Sequence, residues 1–331
     1  MKSVNFFLTL CLLAAMGRAA PAPQSRCADS DQPARRYLII QNGKCGFIDG
    51  QGRVVIPAQY SWAGDFSEGL AQVRVEDKYG YIDPVGKTVI PPQFEWAGPF
   101  SEGLALFRAQ GKYGYLKKSG EIAIPARFEW AWDFSEGFAR ILLGKNGYID
   151  TQGKFVIPPQ FINPWQFHEG LATVKMRGWW GYINKKGDIV IPTRFNWGWD
   201  FSEGLAMVQL GGKFGYIDKT GNWVIPARFD WAATFSDGMA AVATTTQWGF
   251  IDATGKMVIP ERFEWASDFS EGLAGVKVDG QWGFIDKQGQ IVIPPRYDRV
   301  GRFVGGLAPV EIDKKWGYIN TRGELVWKPT N

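Results

Sequence analysis

The residues able to do chemistry in this chain are few in kind and regular in spacing. A single histidine, His168, stands among 331 residues. One imidazole leaves little room for a polyhistidine metal site, and it replaces the serine of a recurring Phe-Ser-Glu-Gly segment, which reads as a solvent-facing variant. Acids recur at Glu68, Glu102, Glu136, Glu169, Glu203, Asp237 and Glu271. Superposed, they would form a row of carboxylates able to hold cations or basic peptides. The plainer reading is that each satisfies backbone donors at the turn before its glycine. Glycoside hydrolysis needs two particular carboxylates at a defined separation, and seven equivalent acids single out no such pair. The chain is therefore read as non-catalytic, with no cofactor and no metal.

Aromatic rings are the second candidate set. Tyr79, Tyr113, Trp180, Phe214, Trp248, Trp282 and Trp316 recur at one position, and Trp62, Trp96, Trp130, Trp197, Trp231 and Trp265 at another. Rings this regular are expected to be core between repeated units. Trp132, Trp165, Trp179, Trp199 and Trp223 fall outside the pattern. A core does not demand these five, so they are the expected ligand contacts, stacking on sugars or gripping a peptide.

The elements that position these residues follow from self-similarity. The motif aromatic-Gly-Tyr/Phe-Ile-Asp/Asn places glycines at 46, 80, 114, 147, 181, 215, 249, 283 and 317, a 34-residue period broken once by a 33. The missing residue falls at Leu143-Gly144-Lys145, which marks a hairpin tip. Each unit reads as three strands. Strand A alternates, as in Leu70 to Val75, and strand B carries the motif, as in Lys78 to Asp83. Strand C, Lys87 to Ile90, is expected to stop at Pro91. Asx-x-x-Gly between B and C has the chemistry of a type I turn closed by a left-handed glycine. A Ca²⁺ loop is a poor match, because each turn offers one carboxylate where a hard cation needs several oxygens.

Composition agrees with a folded β protein: 45% hydrophobic, 15% aromatic and 21% charged, with 41 Gly and 16 Trp. A formal charge of +4, evenly spread, argues against a nucleic-acid groove. Residues 1–19, with Lys2, an apolar run and small residues around Arg18, read as a cleaved signal peptide, too short to span a bilayer. Residues 20–35 form a Pro-rich tail and 36–331 the nine units. The mature chain then has no membrane span and is exported. Cys11 leaves with the signal, and Cys27 and Cys45 are expected to pair as a disulfide.

Trp248-Gly249-Phe250-Ile251-Asp252 and Trp282-Gly283-Phe284-Ile285-Asp286, with Val-Ile-Pro and Phe-Ser-Glu-Gly-Leu-Ala, closely resemble the bacterial WG repeat, also called the KWG repeat. The resemblance covers about residues 36–327. Departures are Cys45 and Asn146 for the strand B aromatic, and Asn163 and Arg299 for the connector tryptophan. The family implies little about activity. A looser likeness to choline-binding cell-wall repeats, which stack as β-solenoids with aromatic cages, favours a binding solenoid. The expected fold is all-β, an open β-solenoid of three-stranded meanders, with a closed propeller-like ring as the alternative. Both termini keep whole A-B-C order, without the split blade that often closes a propeller. The expected function is an exported binding or scaffold protein recognising an envelope or extracellular glycan through exposed tryptophans. A protein-interaction scaffold with a concave surface is the alternative.

Overall fold

The computed structural model describes residues 35–330. Among them the strands form nine antiparallel sheets, seven of four strands and two of three, one sheet to each unit. Strands A, B and C lie where the repeat places them, in unit 2 as Ala71–Val75, Lys78–Ile82 and Thr88–Phe94. The short unit loses its residue at the A to B tip, where Leu143 pairs with Lys145. The B to C turn is an Asx turn. Asp150 Oδ1 accepts the N–H groups of Gln152 at 3.0 Å and Lys154 at 2.9 Å, while Gly153 takes φ 78°.

Two local expectations are corrected. The connector supplies a fourth strand, here called the lead strand, such as Trp62–Ala63, which pairs with Arg74 and Val73 of strand A. In unit 5 Asn163 and Pro164 replace Trp-Ala. Asn163 takes φ 48° and only the bridge Ile162 to Lys175 remains, because proline brings no ladder donor.

Strand C, moreover, does not stop at its proline. It runs on to Phe94, with a register shift between the pairs Tyr81–Ile90 and Tyr79–Phe94. Pro91 sits in that bulge, where the ladder is already interrupted. The bulge folds strand C over the signature glycine: a Cβ at Gly80 would lie 2.5 Å from the carbonyl oxygen of Ile90, and one at Gly215 equally close to that of Ile225.

The core is a series of interfaces between units. Tyr81 is fully buried. Its ring meets Phe100 of the next unit at a centroid distance of 4.9 Å and its hydroxyl donates to the Gly98 carbonyl at 2.8 Å. Tyr115 repeats this with Phe134 and Trp132, and Tyr182 with Phe201 and Trp199. Phe250 and Phe284 keep the ring contact, to Phe269 and Phe303. Edge-on aromatic pairs add about 1 kcal/mol each beyond the area they bury.

A related interface joins unit 9 to unit 1, with the tyrosine turned onto strand A of unit 1, so the array is a closed nine-bladed propeller and the favoured open solenoid is corrected to the ring. Tyr37 and Tyr318 pack edge-on at 5.6 Å, and the Tyr318 hydroxyl donates to the Leu38 carbonyl at 2.9 Å. The B to C turn of each unit lies on strand C of the one before, as Gly86 does on Ile56. Gly52 of unit 1 lies likewise on Val326 of unit 9. Closure uses this face-to-face packing, so no strand has to be exchanged between the ends. The last connector fits the junction. Gly305 has lost the acid of its counterparts, and a Cβ there would lie 2.6 Å from Arg35 Cδ and 2.8 Å from the Tyr37 hydroxyl.

Candidate binding groove on the tryptophan face

The registers put two kinds of chemistry at opposite ends of each sheet. The A to B tips and the lead-strand tryptophans share one end. The Asx turns and the Phe-Ser-Glu-Gly connectors share the other.

At the connector end the acids are structural. Ser67 pairs with Leu70, and Glu68 and Gly69 between them take φ 51° and 85°, the backbone of a type I′ hairpin. A left-handed glutamate is uncommon, and its carboxylate compensates by reaching the following unit. Glu68 accepts the Gly103 N–H at 3.0 Å, Glu102 the Gly137 N–H at 2.8 Å and Glu203 the Gly238 N–H at 3.0 Å. Asp237 and Glu271 do the same to Gly272 and Gly306. The donors thus belong to the neighbouring unit's turn, where the sequence pointed to the acid's own. Lys118, Lys185, Lys219 and Lys287 neutralise Glu68, Glu136, Glu169 and Asp237. Among the described residues no cluster of His, Cys, Asp and Glu could hold a metal ion.

At the tryptophan end, pairing aligns Trp96, Arg108, Tyr113 and Phe128 in one row across unit 3. The lead-strand tryptophans are not the buried core expected of them. Trp62, Trp96, Trp130, Trp197, Trp231 and Trp265 are between 37% and 48% exposed, whereas Tyr113, Trp180 and Phe214 on strand B are buried. The exposure is the same whether the lead strand is two residues long, as at Trp62–Ala63, or six, as at Trp96–Ser101.

Between units 2 and 5 these rings line a groove of about 560 Å³. Trp96 and Trp130 flank Tyr113, at centroid distances of 6.1 and 5.0 Å, and Trp132 follows Trp130 at 6.3 Å. Asp133 and Gln166 contribute polar groups, and the Gln166 amide donates to the Asp133 backbone carbonyl at 2.7 Å. Burial pushes the Asp133 carboxyl up to about 6. Among the described residues nothing hydrogen-bonds to that carboxyl. Arg140 stacks on Trp132 at 3.2 Å, and its burial lowers it to about 10.

Of the five tryptophans singled out in the sequence, Trp132 lines the groove and Trp179, on the unit 5 hairpin, is 45% exposed. Trp165, Trp199 and Trp223 are half-buried and pack against the cores of units 5 to 7. The structure therefore brings Trp132 together with the regular Trp96 and Trp130, and not with the other four. Cys45 is buried in strand B; Cys27 lies outside the described residues, as does the segment 1–19. His168 is half-buried with Nε2 3.5 Å from Asp200, not free in solvent.

The sequence reading missed Asp133. Its signal is an aspartate just before Phe-Ser-Glu-Gly in every second unit, at Asp65, Asp133, Asp200 and Asp268. Asp268 meets Arg302 of the next unit, which opposes the upward push of its burial. The residue of the next unit at the Arg302 position is Gln166 for Asp133; it donates to the Asp133 backbone carbonyl, and Asp133 is one of the residues lining the groove.

The chain is similar to a eukaryotic initiation factor, with a TM-score of 0.63 at 9% identity over 88% of this chain and 95% of that one. It is also similar to dihydro-heme d1 dehydrogenase NirN (TM-score 0.49, 14% identity, 96% and 76% covered). A third likeness is to PorZ, a surface component of the type-IX secretion system of Porphyromonas gingivalis (TM-score 0.33, 9% identity, 91% and 51% covered). At 9% identity the likeness to the initiation factor concerns the fold alone. No curated protein sequence matches the chain. The model of the WG containing repeat matches eight times between residues 46 and 316, six of the matches running from one strand B to the next, so eight periods join nine blades. This chain belongs to the WG containing repeat family.

Proposed function

We propose that this protein is an exported, non-catalytic binding module that holds a saccharide against the tryptophan end of its ring. The observation that carries the reading is the pair Trp96 and Trp130, 37% and 48% exposed on either side of Tyr113, above the hydrogen-bonding groups of Asp133 and Gln166. Flat rings beside planar polar groups suit a sugar, which offers an apolar face and a rim of hydroxyls. A catalytic role finds less support, because the regular acids are spent on backbone N–H groups. Export is supported by the signal-like 1–19 segment, and among the described residues no helix is long and apolar enough to cross a membrane.

The test is calorimetric titration with soluble oligosaccharides, cell-wall fragments included. Binding should weaken at least tenfold in Trp130→Ala and stay unchanged in Trp179→Ala. Failure to bind any saccharide would end this reading.

A second reading, a protein-interaction scaffold, draws on strand C. Val89, Val156, Val190, Val224, Val258 and Val292 are each between 39% and 43% exposed, an apolar band repeated from unit to unit. It predicts polypeptide partners whose binding ignores soluble sugars.

A further inference from the structure

The units differ in the residue of strand A that pairs with the lead-strand tryptophan. That position holds Arg74 and Arg108 in units 2 and 3, then Leu142, Gln209, Ala243, Lys277 and, opposite Arg299, Glu311. Arginine therefore occupies it in two consecutive units only, and both side chains line the groove.

The two are not equally engaged. Arg74 holds Asp77 through one Nη at 2.6 Å, and its Nε is buried without an acceptor. Arg108 is exposed and lies over the Tyr113 ring at 5.9 Å; among the described residues no carboxylate or carbonyl accepts from it. Nearby acids are committed elsewhere. Glu95 accepts the Gln110 N–H at 2.8 Å and also faces the Gly111 N–H, and Asp77 is held by Arg74. The groove thus offers a guanidinium fork beside two open indole faces. Such a fork matches a carboxylate through two parallel hydrogen bonds, which a lysine cannot supply.

We infer that the groove takes an acidic saccharide, a hexuronate whose ring lies on Trp96 or Trp130 and whose carboxylate is received by Arg108, with Arg74 alongside. This deepens the saccharide reading above and depends on it. The groove also contains the acid Asp133, which argues for placement of the ligand carboxylate at the Arg108 side and sugar hydroxyls at the Asp133 side.

The test uses the full chain and two probes: a tetramer of galacturonic acid and the same tetramer with its carboxyls reduced to alcohols. Calorimetry should show the acid form binding at least tenfold tighter. Arg108→Ala should remove that preference, lowering the affinity for the acid form at least tenfold more than the affinity for the reduced form. Arg108→Lys should restore only part of it, and the thermal midpoint of each variant checks its fold. Equal affinity for the two tetramers, or equal losses of both in Arg108→Ala, would overturn the acidic preference while leaving saccharide binding standing. Absence of binding by either tetramer, with other saccharides bound, would overturn the assignment to hexuronates. Absence of binding by every saccharide would overturn both readings.

Discussion

The hydroxyl of Tyr318 in the last unit donates to the carbonyl of Leu38 in the first, at 2.9 Å. Inside the ring the same hydroxyl reaches the next lead strand, as Tyr182 reaches Trp199. At the junction it takes a strand A carbonyl whose counterpart in unit 2, Gln72, accepts from Gly64 N–H. The ring is thus closed by side-chain packing and a redirected hydrogen bond.

Tyr318→Phe and Tyr182→Phe should therefore cost about the same, roughly 1–2 kcal/mol, because each leaves a part-buried carbonyl without its donor. Urea unfolding of the two variants checks this. A neutral Tyr318→Phe beside a costly Tyr182→Phe would show that the ends do not meet.

The strand B glycines should tolerate nothing larger. Gly215→Ala places a Cβ 2.5 Å from the Ile225 carbonyl and 2.6 Å from the Ala227 nitrogen, both backbone atoms. The bulge must move, and we expect a loss of several kcal/mol or failure to fold. Gly137→Ala has open space around its Cβ at φ 85°, so it should cost only about 1 kcal/mol, the strain of a left-handed alanine. Thermal midpoints of the two variants measure the contrast.

Glu203 separates backbone strain from bonding between units. Glu203→Ala loses the hydrogen bond to Gly238 and keeps a side chain at φ 55°, for an expected cost of about 1–2 kcal/mol. Glu203→Gly loses the same bond and relieves the strain, so it should be milder by roughly 1 kcal/mol. Equal losses in chemical denaturation would assign the whole effect to the hydrogen bond.

Asp133 makes stability depend on pH with a definite sign. Its folded value is about 6, above the ordinary 3.8, so the folded state holds the proton more tightly than the unfolded chain. Its contribution is most favourable below about pH 4 and is lost as pH rises to about 6. Asp133→Asn should accordingly gain on the order of 2–3 kcal/mol above pH 6.5 and little at pH 4. Unfolding curves at the two pH values check this; a gain that does not vary with pH would contradict it.

Much of the fold was legible in the sequence. The 34-residue spacing marked the units, the single deletion at Leu143-Gly144 marked a hairpin tip, and Asx-x-x-Gly marked a turn that Asp150 indeed caps. The ring was not legible, because closure depends on the small rotation between neighbouring units summed over all nine. Its trace is the last connector, where Gly305-Gly306 lacks the acid of its counterparts. The lead strand escaped because two residues such as Trp62–Ala63 carry no periodicity. For the same reason the lead tryptophans looked like core: spacing shows that a ring recurs, and only packing shows which of its faces is covered. Asp133 is one member of a sparse series, and its neighbours Gln166 and Arg108 come from other units, so proximity rather than motif assembles the groove.

The central claim, that the tryptophan end is a saccharide-binding surface, is tested most directly by calorimetric titration of the wild-type chain and Trp130→Ala against a panel of neutral and acidic oligosaccharides. We expect saturable binding to the wild type and an affinity at least tenfold lower in the variant, with its thermal midpoint little changed. Binding of equal strength in the two proteins, or none to the wild type, would contradict the account.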